Sequence, residues 1–234
     1  MRLLLIFVGI LSLNLFFWFE THSITKNWFD TPPAPEKGKA AIFSLGDKEL
    51  AYRSNAVMLQ NLGNQNGDVQ SLKSYDYKRL KDWFFVQDHL NQRSDVTPMM
   101  AAYYFGSVRD KDKLNDVLDY LAMVGSRPEG EKWRWLGHAV YLAKHDMGDV
   151  DRALELAYLL SNNSSPDLAD WARQMPAFIL ESKGDNKLAY EVMLAILQSE
   201  ADTLHPNEVN FMIDYMCNRL LVGDLSQSKP EFCN

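Results

Sequence analysis

Apolar residues recur at three- and four-residue spacing from about residue 47 to residue 222, and strict apolar–polar alternation is scarce, so the body of the chain reads as helix throughout. The spacing predicts helices over residues 47–62, 75–91, 97–108, 112–124, 129–145, 149–161, 167–183, 185–199 and 206–222, which group as four hairpins and a closing helix. Thr97-Pro98, Ser165-Pro166 and His205-Pro206 place proline at a first helical position, where its missing N–H is not needed, and Pro128 stands near the remaining start. Gly148-Asp149 and Gly184-Asp185 are expected to end one helix in a left-handed residue and cap the next with a carboxylate. Pro176 falls inside a predicted helix and is expected to kink it by removing a backbone bond. The polar stretch 63–71, with Asn64, Asn66 and Gly67, joins the first two helices as a loop.

The first twenty residues follow a different pattern. Residues 3–19 carry no charge and are interrupted only by Gly9, Ser12 and Asn14, a run of roughly 25 Å as helix against a hydrocarbon core of ~30 Å. It ends in Phe16, Phe17, Trp18, Phe19 and then Glu20, not in the small residues of a cleavage site, so it reads as an uncleaved signal-anchor. Aromatic residues at one end suit the lipid–water interface, and Arg2 at the other favours a cytoplasmic N-terminus with the rest of the chain exported, on the periplasmic side of a bacterial envelope or its equivalent. Residues 21–46, with Thr31-Pro32-Pro33-Ala34-Pro35, read as a semi-stiff spacer. The expected plan is an anchor at 1–20, a linker at 21–46, a helical repeat domain at 47–225 and a tail at 226–234.

A shift of 36 residues superimposes Trp135 on Trp171, Gly148 on Gly184, Asp149 on Asp185, Ala153 on Ala189, Glu155 on Glu191 and Leu168 on Leu204 without a gap. One period upstream the identities thin to Asp110 with Asp146 and Leu118 with Leu154, while apolar class persists, as in Met99 for Trp135. The hairpin before these copies has a stretched period, as terminal units of repeat arrays commonly do, and the closing helix would cover the open end.

The Gly-Asp pair with Ala five positions after the Gly, the string Ala153-Leu154-Glu155-Leu156-Ala157, and a proline after the second helix resemble the tetratricopeptide repeat, over roughly residues 97–206. The period of 36 departs from that family's 34, and Gly137 stands eleven residues before Gly148, which makes the first helix longer. The resemblance implies an all-α, right-handed solenoid of antiparallel hairpins whose first helices line a concave face. It also implies a scaffold that binds peptides or other proteins and carries no chemistry of its own. Large, rotor-poor aromatic rings and Arg on the first helices are then the expected contacts. Tyr103, Tyr104, Trp133, Arg134 and His138 are the partner-binding candidates.

Composition narrows the alternatives. The chain has 234 residues, 47% of them hydrophobic, with 24 Lys and Arg against 31 Asp and Glu and a formal charge of −7. That is enough apolar residue for a packed core, and the charge lacks the basic footprint of a nucleic-acid binder. His138 and His145 share a helix face, but seven residues of rise, about 10 Å, is too long for both to ligate one metal. None of the common nucleophile, zinc or phosphate-loop motifs occurs, so no catalytic, metal or cofactor site is expected. Cys217 and Cys233 can bridge in an oxidising compartment, and Asn162-Asn163-Ser164-Ser165 holds overlapping glycosylation sequons.

The leading expectation is a membrane-anchored scaffold of an envelope-associated complex, its protein partner held in the concave groove. From another class, an unrecognised enzyme or accessory domain would hold a polymer or lipid-linked substrate near Trp133, His138 and Pro176. A closed structural bundle without a groove is the third.

Overall fold

The computed structural model describes residues 2–22, 31–65, 68–222 and 229–233. Residues 23–30 of the linker, 66–67 of the first loop and 223–228 at the junction of domain and tail lie outside the described residues.

The fold is all-α. Helix α1 spans Arg2–Thr21, α2 Lys48–Gln60, α3 Tyr77–Leu90, α4 Val96–Met99, α5 Lys111–Gly125, α6 Trp133–Tyr141, α7 Val150–Ser161, α8 Asp170–Lys183, α9 Asn186–Glu200 and α10 Pro206–Tyr215. β-Strand is confined, among the described residues, to an antiparallel ladder of Asn64–Gln65 with Asp68–Val69, inside the stretch expected as plain loop.

Aspartate punctuates the series. Asp47, Asp76, Asp110, Asp149 and Asp185 are the N-caps of α2, α3, α5, α7 and α9, each accepting from a backbone N–H of the first turn. Caps of this kind stabilise a helix by about 1 kcal/mol each. Gly148 and Gly184 hold φ of 63° and 87°, the left-handed ends their sequence context implies. His205 caps α10 with Pro206 at its first position.

Other starts differ from expectation. Helices α6 and α8 begin at Trp133 and Asp170, beyond the prolines expected to open them. The reason is local bonding. Asn163 Nδ2 donates to the Gly125 carbonyl at 2.8 Å, Ser165 Oγ donates to the Gly130 carbonyl at 2.8 Å, and the Ser165 N–H donates to Asn163 Oδ1. These bonds hold the segment after α7 as a turn stitched to the α5–α6 connection. They also bury Asn163, leaving only Asn162 of the two sequon asparagines exposed. Helix α8 runs unbroken through Pro176.

Three helices end in a π-helical turn: Met100–Tyr104 after α4, Leu142–Asp146 after α6 and Met216–Leu220 after α10. Each π-turn admits one extra residue.

Helices pack in chain order, α2 on α3, α3 on α5, α5 on α6, α6 on α7, α7 on α8 and α8 on α9. One buried cluster runs from Ala40 to Ile179, a second from Ala177 to Leu220, and Leu154 packs against both. Gly125 allows the closest helix approach. A Cβ there would lie 2.3 Å from the Leu136 nitrogen on α6.

Two features bear on the chain's first forty residues. Every described side chain of α1 is exposed. Counted over the described residues alone, no helix is long and apolar enough to cross a membrane. The proline-rich half of the linker is not a free spacer: Thr31 is buried, Arg79 donates to the Thr31 carbonyl at 3.0 Å, and the Trp83 indole donates to the Pro32 carbonyl at 2.8 Å. Thr31 and Pro32 therefore pack as part of the body.

Candidate functional groove

Three successive parts of the helical series share one concavity of about 840 Å³. The π-turn after α4 contributes Tyr103, α6 contributes Trp133, Arg134, Trp135, His138 and Tyr141, and the entry to α8 contributes Asp167 and Trp171. Helical spacing explains the α6 set, since 134, 138 and 141 follow one another at four and three residues, and 135, 138 and 141 at three and three.

The rings interlock. Trp135 meets Tyr103 edge-on at 6.3 Å between centroids, Tyr103 lies 4.6 Å from the His138 ring, and Tyr141 stands between His138 and His145. Trp133 and Trp171 meet edge-on at 5.5 Å. Trp135 and Trp171, 36 residues apart in sequence, thus each meet an aromatic ring from an earlier segment of the chain, Tyr103 and Trp133 respectively. Gly137 forms part of the floor; a Cβ there would make ordinary contact with Trp171 at 3.7 Å.

Trp133 is 4% exposed, yet its indole nitrogen has no hydrogen-bond partner among the described residues. A buried, unpaired donor costs free energy, on the order of 1–3 kcal/mol, unless something accepts from it. Trp135 is satisfied: its indole donates to Asp95 Oδ1 at 2.8 Å, and Lys132 Nζ donates to the same oxygen at 2.6 Å. Partial burial pushes the Asp95 carboxyl up, but these two bonds and the Lys132 charge outweigh it and hold the carboxyl below its usual range. Burial pushes the His138 imidazole below its ordinary value, against the opposing pull of the Ala102 backbone and Asp146.

Charge is asymmetric. Asp95, Glu131 and Asp167 line the groove against the single guanidinium of Arg134, which pairs with Glu131 at 2.6 Å and lies over the Trp133 ring at 5.7 Å. Asp167 has no ion-pair partner among the described residues.

Of the sequence candidates, Tyr103, Trp133, Arg134 and His138 come together here. Tyr104 does not: its ring packs edge-on against Phe105 at 4.9 Å and lines no part of this groove. Pro176 is also elsewhere, lining a separate cavity of about 650 Å³ with Tyr158, Arg173 and Glu200. Trp171 stood out in the sequence only as a repeat marker and Trp135 also as the neighbour of Trp133 and Arg134, while Asp95, Tyr141 and Asp167 were passed over. The i, i+4, i+7 series from Arg134 through His138 was the signal available for Tyr141. Among the described residues, no three His, Cys, Asp or Glu side chains converge as metal ligands. Cys217 and Cys233 are disulfide-bonded, with Cα atoms 5.5 Å apart.

No family model, curated protein sequence or solved structure matches this chain.

Proposed function

We propose that this chain is a membrane-anchored scaffold with a tetratricopeptide-like stack of hairpins, which holds an extended segment of a partner protein in the aromatic groove. The observation that carries this reading is the open, ring-lined concavity: the side chains of an extended segment supply apolar surface for Tyr103, Trp135, Tyr141 and Trp171. Packing of helices in chain order and the 36-residue spacing of Asp149 and Asp185 support a repeat stack with the first helices on the concave side.

The anchor reading is supported by α1. Its twenty residues rise about 30 Å, the thickness of a hydrocarbon core. Residues Leu3 and Leu5, taken from the sequence, complete its uncharged run, and its described side chains meet no protein surface. The disulfide supports an exported body, because such bonds persist in oxidising compartments.

The test is recovery of crosslinked partners from cells carrying Tyr103→Ala with Arg134→Glu, with helicity checked by circular dichroism. Partner recovery falls at unchanged helicity if the groove binds; equal recovery from both chains contradicts it. The polymer-binding alternative predicts instead that a purified chain retains glycan or lipid-linked material, with no protein adduct.

A further inference from the structure

Just before α2 the chain makes a turn that exposes its apolar side chains. Phe43 and Leu45 are 101% and 99% exposed and Ile42 is 59% exposed, while Ser44 between them and Ala40 before them are buried. Scattered surface apolar residues are ordinary, but three within four positions, two of them wholly in solvent, are not. The turn is also held firmly. The Ser44 N–H donates to the Ala41 carbonyl, Leu45 to Ile42, Gly46 to Ala41 and Asp47 to Ser44, all within 3.1 Å. These bonds fix Leu45 at φ 54°, a left-handed backbone that a leucine adopts only under constraint. A constrained turn that presents its largest apolar groups to solvent needs an apolar occupant.

Charge beside the turn identifies the occupant. A cleft of about 490 Å³ runs along its flank, and its ionisable lining groups are Lys37, Lys48 and His89, with no carboxylate. Neither lysine has an ion-pair partner among the described residues, whereas neighbouring Lys39 pairs with Glu36. The cleft lining is cationic on a chain of net charge −7; Glu36, which pairs with Lys39, and Asp47, which caps α2, adjoin it in sequence. Apolar tips flanked by unpaired cations match the bilayer interface, where acyl chains lie just beneath anionic phosphates.

Position agrees. Because the chain is docked on α3 from Thr31 onward, only residues 22–30 separate the body from α1, and they reach at most about 35 Å. The body cannot stray far from a membrane that holds α1.

We propose that the turn at residues 42–46 inserts Phe43 and Leu45 into the membrane interface while Lys37, Lys48 and His89 receive an anionic phospholipid headgroup, giving the body a second attachment that fixes its orientation on the bilayer. This rests on the anchor reading above. It is independent of what the aromatic groove binds.

The test uses the full chain in vesicles, with a nitroxide on Phe43→Cys or, separately, Ile42→Cys. The native cysteines are bonded to each other and leave the new thiol as the labelling site. Flotation reports anchoring, and the ratio of oxygen to nickel-chelate accessibility reports depth. In vesicles of phosphatidylcholine with phosphatidylglycerol, the labels at 42 and 43 become oxygen-accessible and nickel-shielded, while one at Val57→Cys stays aqueous. Lys37→Glu with Lys48→Glu shifts the inserted fraction toward water by roughly fivefold per lysine, as does pure phosphatidylcholine, and excess inorganic phosphate does not displace the tip. Aqueous labels on a chain that still floats overturn the inference and leave the anchor standing, the turn then facing a protein or solvent. A chain that does not float overturns both.

Discussion

The same substitution at two glycines on adjacent helices should act with opposite sign. Gly125 lies in the last turn of α5 and Gly137 inside α6, so Gly→Ala gains up to about 1 kcal/mol at each site from reduced unfolded-state entropy. At Gly137 the new methyl makes ordinary contact with Trp171 and Leu160, at 3.7 and 3.8 Å, and nothing opposes that gain. At Gly125 it would lie 2.3 Å from the Leu136 nitrogen, 2.5 Å from its Cβ and 2.8 Å from its Cα. Two of these atoms are backbone, so no rotamer change relieves them, and α5 and α6 must separate by about 1 Å to restore contacts near 3.5 Å. Overpacking of this kind costs about 3 kcal/mol or more, which leaves a net loss of about 2 kcal/mol. Urea unfolding of the full chain in micelles, followed by far-ultraviolet circular dichroism, reads both. With a slope near 2 kcal/mol per molar, the midpoint falls by about 1 M for Gly125→Ala and rises by a few tenths for Gly137→Ala. Shifts of the same sign would refute the helix contact described here.

Other outcomes follow from individual contacts. Asp88 is 8% exposed and accepts two bonds from Arg127, at 2.8 and 2.6 Å, so Asp88→Ala leaves a half-buried guanidinium unpaired and costs about 3 kcal/mol; Arg127→Met in the same chain recovers part of it, and additive losses in a double-mutant cycle would contradict the pairing. The disulfide closes a sequence separation of 16, so Cys217→Ser or a reductant lowers stability by about 3 kcal/mol, with the reductant silent on the variant; an unmoved midpoint in reduced wild type counts against the bond. Because burial holds the His138 imidazole below 6.5, the unfolded chain takes up its proton first. Stability therefore rises with pH between the folded value and 6.5, and the penalty is complete below that window. His138→Gln flattens this limb in melting temperatures taken between pH 5 and 8; a parallel profile shows that the ring is not desolvated.

Much of the helical layout was legible because its signals are local. Asp149 after Gly148 and Asp185 after Gly184 mark a helix end and a cap within two residues, and backbone geometry there depends on nothing distant. Pro128 and Pro166 misled for the converse reason: proline fits the turn before a helix as well as its first position, and the decision lay with Asn163 and Ser165 bonding to carbonyls some 35 residues away. The π-turns leave no mark in residue pattern, since one extra residue per turn alters neither composition nor apolar spacing noticeably. In the groove, Trp133 and Arg134 stood out as an aromatic–cation cluster. Tyr103 and Tyr104 are adjacent, and only the π-turn decides which ring faces Trp135. The docking of Thr31 and Pro32 on α3 was hidden because proline-rich composition reads as spacer whether or not a surface receives it.

The central claim is that another protein lies in the aromatic groove, and photocrosslinking in cells tests it most directly. A photoreactive residue is placed in turn at Tyr141 and Trp171, which line the groove, and at Leu159, exposed on α7 outside it. The account predicts a discrete protein adduct from the two groove positions, lost with Tyr103→Ala, and none from Leu159. Adducts from Leu159 alone, or equal yields at all three positions, would contradict it.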